Sequence, residues 1–104
     1  MIVKNRIKKY SEFQKAIEEG DVKKTSFFVS YALKNELGYS RFGISVPKKV
    51  GNAVVRNRIK RQVRSAIGRA TDYSKSFDTV IIIRKNYSSD SFDIVLSEIK
   101  EIIG

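Results

Sequence analysis

The chain contains no cysteine and no histidine. Without thiols there can be no disulfide, thiolate metal site or cysteine nucleophile, and without imidazole the commonest general base and zinc ligand are missing. A self-sufficient hydrolytic centre would have to be built from carboxylates with a metal, or from lysine. The 11 acids are too scattered for the first, lying mostly in the terminal helices and loops. Nothing approaches the roughly 18 consecutive apolar residues of a membrane-spanning helix, and the basic N-terminus lacks the apolar centre of a signal peptide. A cytoplasmic protein with no membrane partner is the expectation. Internal repeats, low-complexity tracts and linkers are also missing, so residues 1–104 read as one domain with a single small core.

What is present in excess is positive charge, 21 Lys and Arg and a net charge of +10. Such a balance favours a polyanionic partner. The charge is concentrated: Lys48 to Arg69 holds eight cations and no acid, within an acid-free run from Leu37 to Thr71. With Gly51 allowing a turn, Asn52 as N-cap and no proline from Ala53 to Ala70, this stretch reads as a helix about 27 Å long at roughly 1.5 Å per residue. Val55, Ile59, Val63, Ala66 and Ala70 share the side that goes to a core, with Ile67 at its margin. Asn57, Lys60, Arg61 and Arg64 share the opposite side, Arg56 sits beside Lys60, and Arg58 and Arg69 form a second basic flank. Like charges at these spacings repel, so the face calls for an anionic partner rather than mere solvation. Arg and Asn suit RNA: guanidinium binds phosphate bidentately and stacks on bases, and the amide donates and accepts at once.

Along the chain, Lys4, Arg6, Lys8 and Lys9 form a basic lead-in, open between phosphate contact and a frayed end. Ser11 and Gln14 have the form of a capping box, and Phe13, Ala16 and Ile17 line a short helix ending near Gly20. Lys24 to Leu33 alternates as a strand, Asn35 to Gly38 turns, and Tyr39 to Val46 returns, which predicts an antiparallel hairpin closed by Pro47. After a polar connector, Thr71 to Ser76, the apolar run FDTVIII from Phe77 to Ile83 predicts an internal strand covered on both faces, with Arg84 and Lys85 at its exit. A loop from Asn86 to Asp90 and a helix follow, Ser91 as N-cap and Phe92, Val95, Leu96, Ile99, Ile102 and Ile103 as its stripe. The class is α+β, helices on a small sheet.

The joint pattern Lys49-x-Gly51-x-Ala53-x-x-Arg56-Asn57-x-x-Lys60-Arg61-x-x-Arg64 resembles the signature of the bacterial ribonuclease P protein subunit, with no departure at its fixed positions. KNRIKKYSEFQ, FVSYALK, RFGISVPKKVGNAV and VIIIRK are similar to successive segments of that family, so the resemblance spans the chain. It implies a four-stranded sheet with three helices in the order α-β-β-β-α-β-α, joined through the basic helix by a left-handed βαβ crossover, a fold shared with a ribosomal protein domain. General rules favour the right-handed form. It further implies a ribonucleoprotein in which an RNA subunit, using Mg2+, removes the 5′ leader of precursor tRNA while the protein raises substrate and metal affinity, with no catalytic residue and no metal of its own.

By that resemblance Lys49, Asn52, Arg56, Asn57, Arg58, Lys60, Arg61 and Arg64 face the catalytic RNA. Phe13, Ile17, Val29, Tyr31 and Lys48 line a cleft for the leader of precursor tRNA, with Ile17 standing where the family often has an aromatic, so that only apolar contact remains there. From the residues alone, Phe13 suits a core as well as a binding surface. Two rival classes are a ribosomal or other structural RNA-binding protein, which has no reason to carry the full pattern, and a stand-alone metal-dependent nuclease, which needs clustered carboxylates.

Overall fold

The computed structural model describes residues 3–88 and 90–103. Its elements are α1 (Tyr10–Glu19), β1 (Asp21–Lys24), β2 (Phe28–Lys34), β3 (Arg41–Ser45), α2 (Ala53–Ala70), β4 (Phe77–Ile83) and α3 (Phe92–Ile103), with 3-10 turns at Val3–Asn5 and Lys48–Val50. This is the order α-β-β-β-α-β-α. The four strands form one mixed sheet in the order β1-β2-β4-β3, with β2 antiparallel to both neighbours and β3 parallel to β4. The polar loop expected over residues 86–90 is in place apart from Ser89, which lies outside the described residues.

The expected hairpin of β2 with β3 is not formed. β4 lies between them, and the hairpin partner of β2 is β1, paired from Asp21↔Ala32 to Lys24↔Val29. The reason is the apolar run: a strand that is hydrophobic on both faces is best placed inside the sheet. The loop that follows β2 is fixed to the intruding strand rather than turning back on itself. Asn35 N–H donates to Ser76 O at 2.9 Å and Asn35 Nδ2 to Asp78 Oδ1 at 2.8 Å, while Asn35 Oδ1 accepts from Leu37 N–H at 3.0 Å. Gly38, with φ of 82°, supplies the left-handed residue this loop needs. β1 was hidden because Asp21–Lys24 is exposed throughout and shows no apolar alternation.

Residues opposite one another in neighbouring strands share a face of the sheet. On one face, α2 and α3 pack over Phe28, Phe42, Val46, Ile81 and Ile83, contributing Ile59, Val63, Ala66 and Ile67 from α2 and Val95, Ile99 and Ile102 from α3. Ile67 is fully buried, not marginal. Because α2 meets α3 as well as the sheet, its apolar stripe is wider than one wall requires. The other face is covered by α1, whose Ala16 is buried, as is Val80 beneath it.

α1 starts at Tyr10, with Lys9 as an N-cap that offers no side-chain bond. Ser11 is therefore inside the first turn, and the capping box does not form. Helix phase is set by packing instead. Phe13 lies so close to Gly43 that a Cβ there would be 2.6 Å from its ring, which is why β3 has glycine at that point. Arg41 ties the three elements together, its Nη2 donating to Asp78 Oδ2 of β4 at 2.7 Å and to Glu12 Oε2 of α1 at 2.8 Å. The basic lead-in is held as well, not frayed: Asn5 Nδ2 donates to Ser40 O at 2.7 Å and Ile7 N–H to Phe42 O at 3.1 Å.

Candidate nucleic-acid interface

α2 forms where its cap and spacing demand. Asn52 Oδ1 accepts from Val55 N–H at 3.0 Å, satisfying one of the donors left free at a helix start. Asn52 is exposed, but its carbonyl is committed to this cap, leaving only its amide group for a ligand. Gly51 is explained by close approach, since a Cβ there would stand 2.8 Å from Val55 Cγ1. Part of the sequence pattern is thus architectural: glycine and asparagine launch the helix, and the cations ride on it.

Those cations form one continuous face. Asn57, Arg58 and Arg61 are exposed, while Arg56, Lys60 and Arg64 are half-buried along the side nearer the body of the protein. Among the described residues both ion pairs belong to Arg41, and no carboxylate pairs with a cation of α2. Arg56 Nε and Arg64 Nε are sealed from solvent and have no hydrogen-bond partner among the described residues. Desolvation, and then the neighbouring positive charge of Arg6, hold the Arg64 guanidinium below its ordinary pKa. It stays charged at any physiological pH, so the arrangement is electrostatically uphill until an anion joins it. The charge of the lead-in thus reaches this face through Arg6. The sequence put Arg6 in a basic run but gave no sign of its neighbour on α2.

A second feature lies on the α1 side of the sheet. Strand register places Tyr31, Val80 and Gly43 in one row and Val29, Ile82 and Ser45 in the next. α1 covers the first row, with Phe13 over Gly43, and Phe13, Ile17 and Tyr31 are all half-buried. The second row opens into a depression lined by Val29, Pro47, Lys49, Ile82, Arg84 and Lys85, among others. Its floor is apolar and its rim is basic. Such a combination suits a single strand of nucleic acid, whose bases seek apolar or aromatic surface while its phosphates seek cations.

The structure thus brings Phe13, Tyr31 and Val29 onto one face of the sheet, with Ile17 one turn further along α1. Lys48 is exposed on the 3-10 turn but is not among the residues lining the depression; Lys49, assigned by resemblance to the other interface, is. Lys49 lines the depression from the 3-10 turn that leads into α2. Ile82, Arg84 and Lys85 were missed as site residues. The signal for Ile82 was available only after register was known, because in an unbroken run of isoleucines nothing marks the one left half-covered.

The model of the family described as Ribonuclease P matches residues 1–104. The ribonuclease P protein component of Mesoplasma florum is 45% identical over 105 residues, covering 96% of this chain and 93% of that protein. Among solved structures, a Staphylococcus aureus RNase P protein, a mutant with defective mRNA degradation activity, superposes with a TM-score of 0.87 at 31% identity, covering 96% of this chain and 86% of that one. The RNase P protein from Thermotoga maritima gives 0.79 at 32% identity, covering 95% and 98%.

Proposed function

The chain belongs to the ribonuclease P protein family, and from that premise we propose how the protein component divides its two surfaces between two RNAs. The acid-free face of α2, from Lys49 and Asn52 through Arg56, Asn57, Arg58, Lys60, Arg61 and Arg64, docks on the RNA subunit of the ribonucleoprotein. The depression beside α1, with Val29 in its lining, Phe13, Ile17 and Tyr31 toward its covered side and the exposed Lys48 near its approach, takes the single-stranded 5′ leader of precursor tRNA. Holding the leader raises substrate affinity, and holding the RNA subunit raises its affinity for Mg2+. The setting is the cytoplasm, where precursor tRNA is made.

The observation that carries this reading is the pairing of an acid-free, partly desolvated cationic face with an open apolar floor. Phosphate contacts on α2 supply affinity and position without reading sequence. Aromatic and aliphatic contacts in the depression hold unstacked bases, at roughly 1–3 kcal/mol per stacked base. Hydrolysis of the phosphodiester belongs to the RNA subunit. Glu12 and Asp78, which the fold brings to one guanidinium, are both engaged by Arg41, so this pair is poorly suited to hold Mg2+. Magnesium supplies Lewis-acid chemistry and an activated water where RNA phosphates ligate it; this chain's task is to bind and orient.

The experiment is single-turnover cleavage at low magnesium with the RNA subunit from the same source, with and without the protein, on precursor tRNAs with long and one-nucleotide leaders. The expected result is stimulation that grows with leader length. Equal stimulation of both substrates overturns the leader cleft and leaves the α2 contact. Tight RNA binding with no stimulation overturns the processing role and favours a structural RNA-binding protein.

A further inference from the structure

One large apolar side chain on α2 is left outside the core. Val54 is 68% exposed, and it opens a shallow depression whose other walls are Asn57, Lys60, Arg61 and Arg64. At spacings of 3, 6, 7 and 10 residues from Val54, these side chains form a single ridge along the helix. An isolated exposed valine on a protein surface needs no explanation. This one stands at the N-terminal end of a row of an amide and three cations, on a face that has no acid.

A face that only gripped the phosphates of a duplex would gain nothing from a valine at the head of its row of cations, since duplex backbones present charge and ribose edges at regular spacing. Asn57 adds a second observation. Its side chain is exposed and, like that of Asn86, makes no hydrogen bond among the described residues, and of the α2 asparagines it is Asn52 whose oxygen is taken by the helix start. A free carboxamide next to an apolar platform has the complement of a base edge, a donor and an acceptor side by side.

We infer that Val54 and Asn57 form a pocket for one unpaired nucleotide of the RNA partner, its base or ribose resting on the Val54 methyls, its edge bonded to Asn57 and its phosphate held by Lys60, Arg61 and Arg64. The inference rests on the reading of α2 as the RNA-subunit face and names what that face recognises. RNA is read mainly at unpaired, splayed nucleotides, because its deep groove shuts side chains out of the duplex. The α2 interface is therefore not purely electrostatic. It carries a salt-independent part located at residue 54.

Salt separates the two parts. Binding of the RNA subunit by the full-length protein is measured across a range of salt concentrations for the parent, Val54→Ser, Val54→Ile and Arg61→Ala. Val54→Ser weakens binding by about 3- to 10-fold at every salt concentration and leaves the slope of log affinity against log salt unchanged. Val54→Ile, which keeps the platform, binds like the parent, and Arg61→Ala lowers the slope by about one unit. Helical circular dichroism checks that the exposed substitutions leave the fold intact. Parental affinity for Val54→Ser, or a slope change like that of Arg61→Ala, overturns the pocket. A photoreactive side chain at position 54 supports it by joining to an unpaired nucleotide and overturns it by joining only to duplex. If the parent protein does not bind the RNA subunit at all, the failure lies in the reading of α2 itself.

Discussion

The two faces of the sheet are finished to different standards. Over one, two helices seal Phe28, Ile81 and Ile83 so that essentially no water reaches them; over the other, a single ten-residue helix covers Val80 and leaves Ile82 and Val29 half-open beside basic residues. The same strand, β4, faces both. Burial is concentrated on the α2–α3 side, which leaves the α1 side the more open of the two. The sealed side also anchors α2, so the helix that presents the cations is fixed by the core it helps to close.

The strongest way to break this comparison is to truncate adjacent residues of β4. Ile81→Ala removes atoms from the sealed face, where Ile81 is 0% exposed, and is expected to cost about 3–4 kcal/mol. Ile82→Ala, one residue on and pointing to the other face, is expected to cost about 1 kcal/mol, because partly exposed atoms contribute less transfer energy and leave no closed cavity. Urea midpoints at unchanged m-value give both numbers. Equal losses would mean that α1 closes its face as tightly as the two helices close theirs.

Tyr31 sharpens the same contrast on the α1 side. It lies in the row that α1 covers, half-buried, next to Val80. Tyr31→Ala is expected to weaken precursor tRNA relative to mature tRNA by about 1–3 kcal/mol, the scale of one stacked base, with assembly on the RNA subunit unaffected. Competition binding with the two tRNAs reads the difference. Loss of the fold instead would place Tyr31 with the core.

Gly43→Ala tests how firmly α1 is seated. A Cβ at 43 would come within 2.6 Å of Phe13 Cε2, so the ring must tilt and carry α1 with it. The expected cost is about 1–2 kcal/mol, typical of adding a methyl to a packed contact. Phe13 ring resonances should shift, and leader discrimination should fall, while the α2 face keeps its salt dependence. An unshifted Phe13 would show that the contact has room the distance does not suggest.

How much of this was legible in the sequence depends on whether a feature is local. The basic helix was legible from Asn52 to Ala70, because a cap, a 3.6-residue stripe and an absence of acids are all written within one segment. The interior position of FDTVIII was legible for the same reason. Its neighbours were not: alternation in β2 and β3 says that each is a strand, yet nothing within either says that Ser76 and Asp78 will hold Asn35 and admit β4 between them. β1 carries no stripe, and Ile67 is buried in a core that sheet and α3 residues from far along the chain complete. In the candidate site, the charge of α2 was visible, but Arg6 beside Arg64, Ile82 in the depression and Val54 left exposed at the head of the row of cations all depend on which segments meet.

The smallest effect concerns what holds α1 down besides Phe13. The hydrogen bond from Arg41, assisted by its charge, holds the Glu12 carboxyl below its ordinary value of 4.5. For a carboxylate lowered on folding, the contribution to stability is present above the unfolded pKa and disappears as pH falls through the folded one. The Glu12 side chain is 35% exposed, so water screens the pair and the gain is below about 1 kcal/mol. Acidification below about pH 4.5 should therefore loosen α1 while the two-helix side still holds. Amide exchange would rise in residues 10–19 before it rises in β4 or α3, and Glu12→Gln would show the faster exchange already at neutral pH. Simultaneous exchange of all three elements would mean that the two faces, however differently they are sealed, open as one cooperative unit.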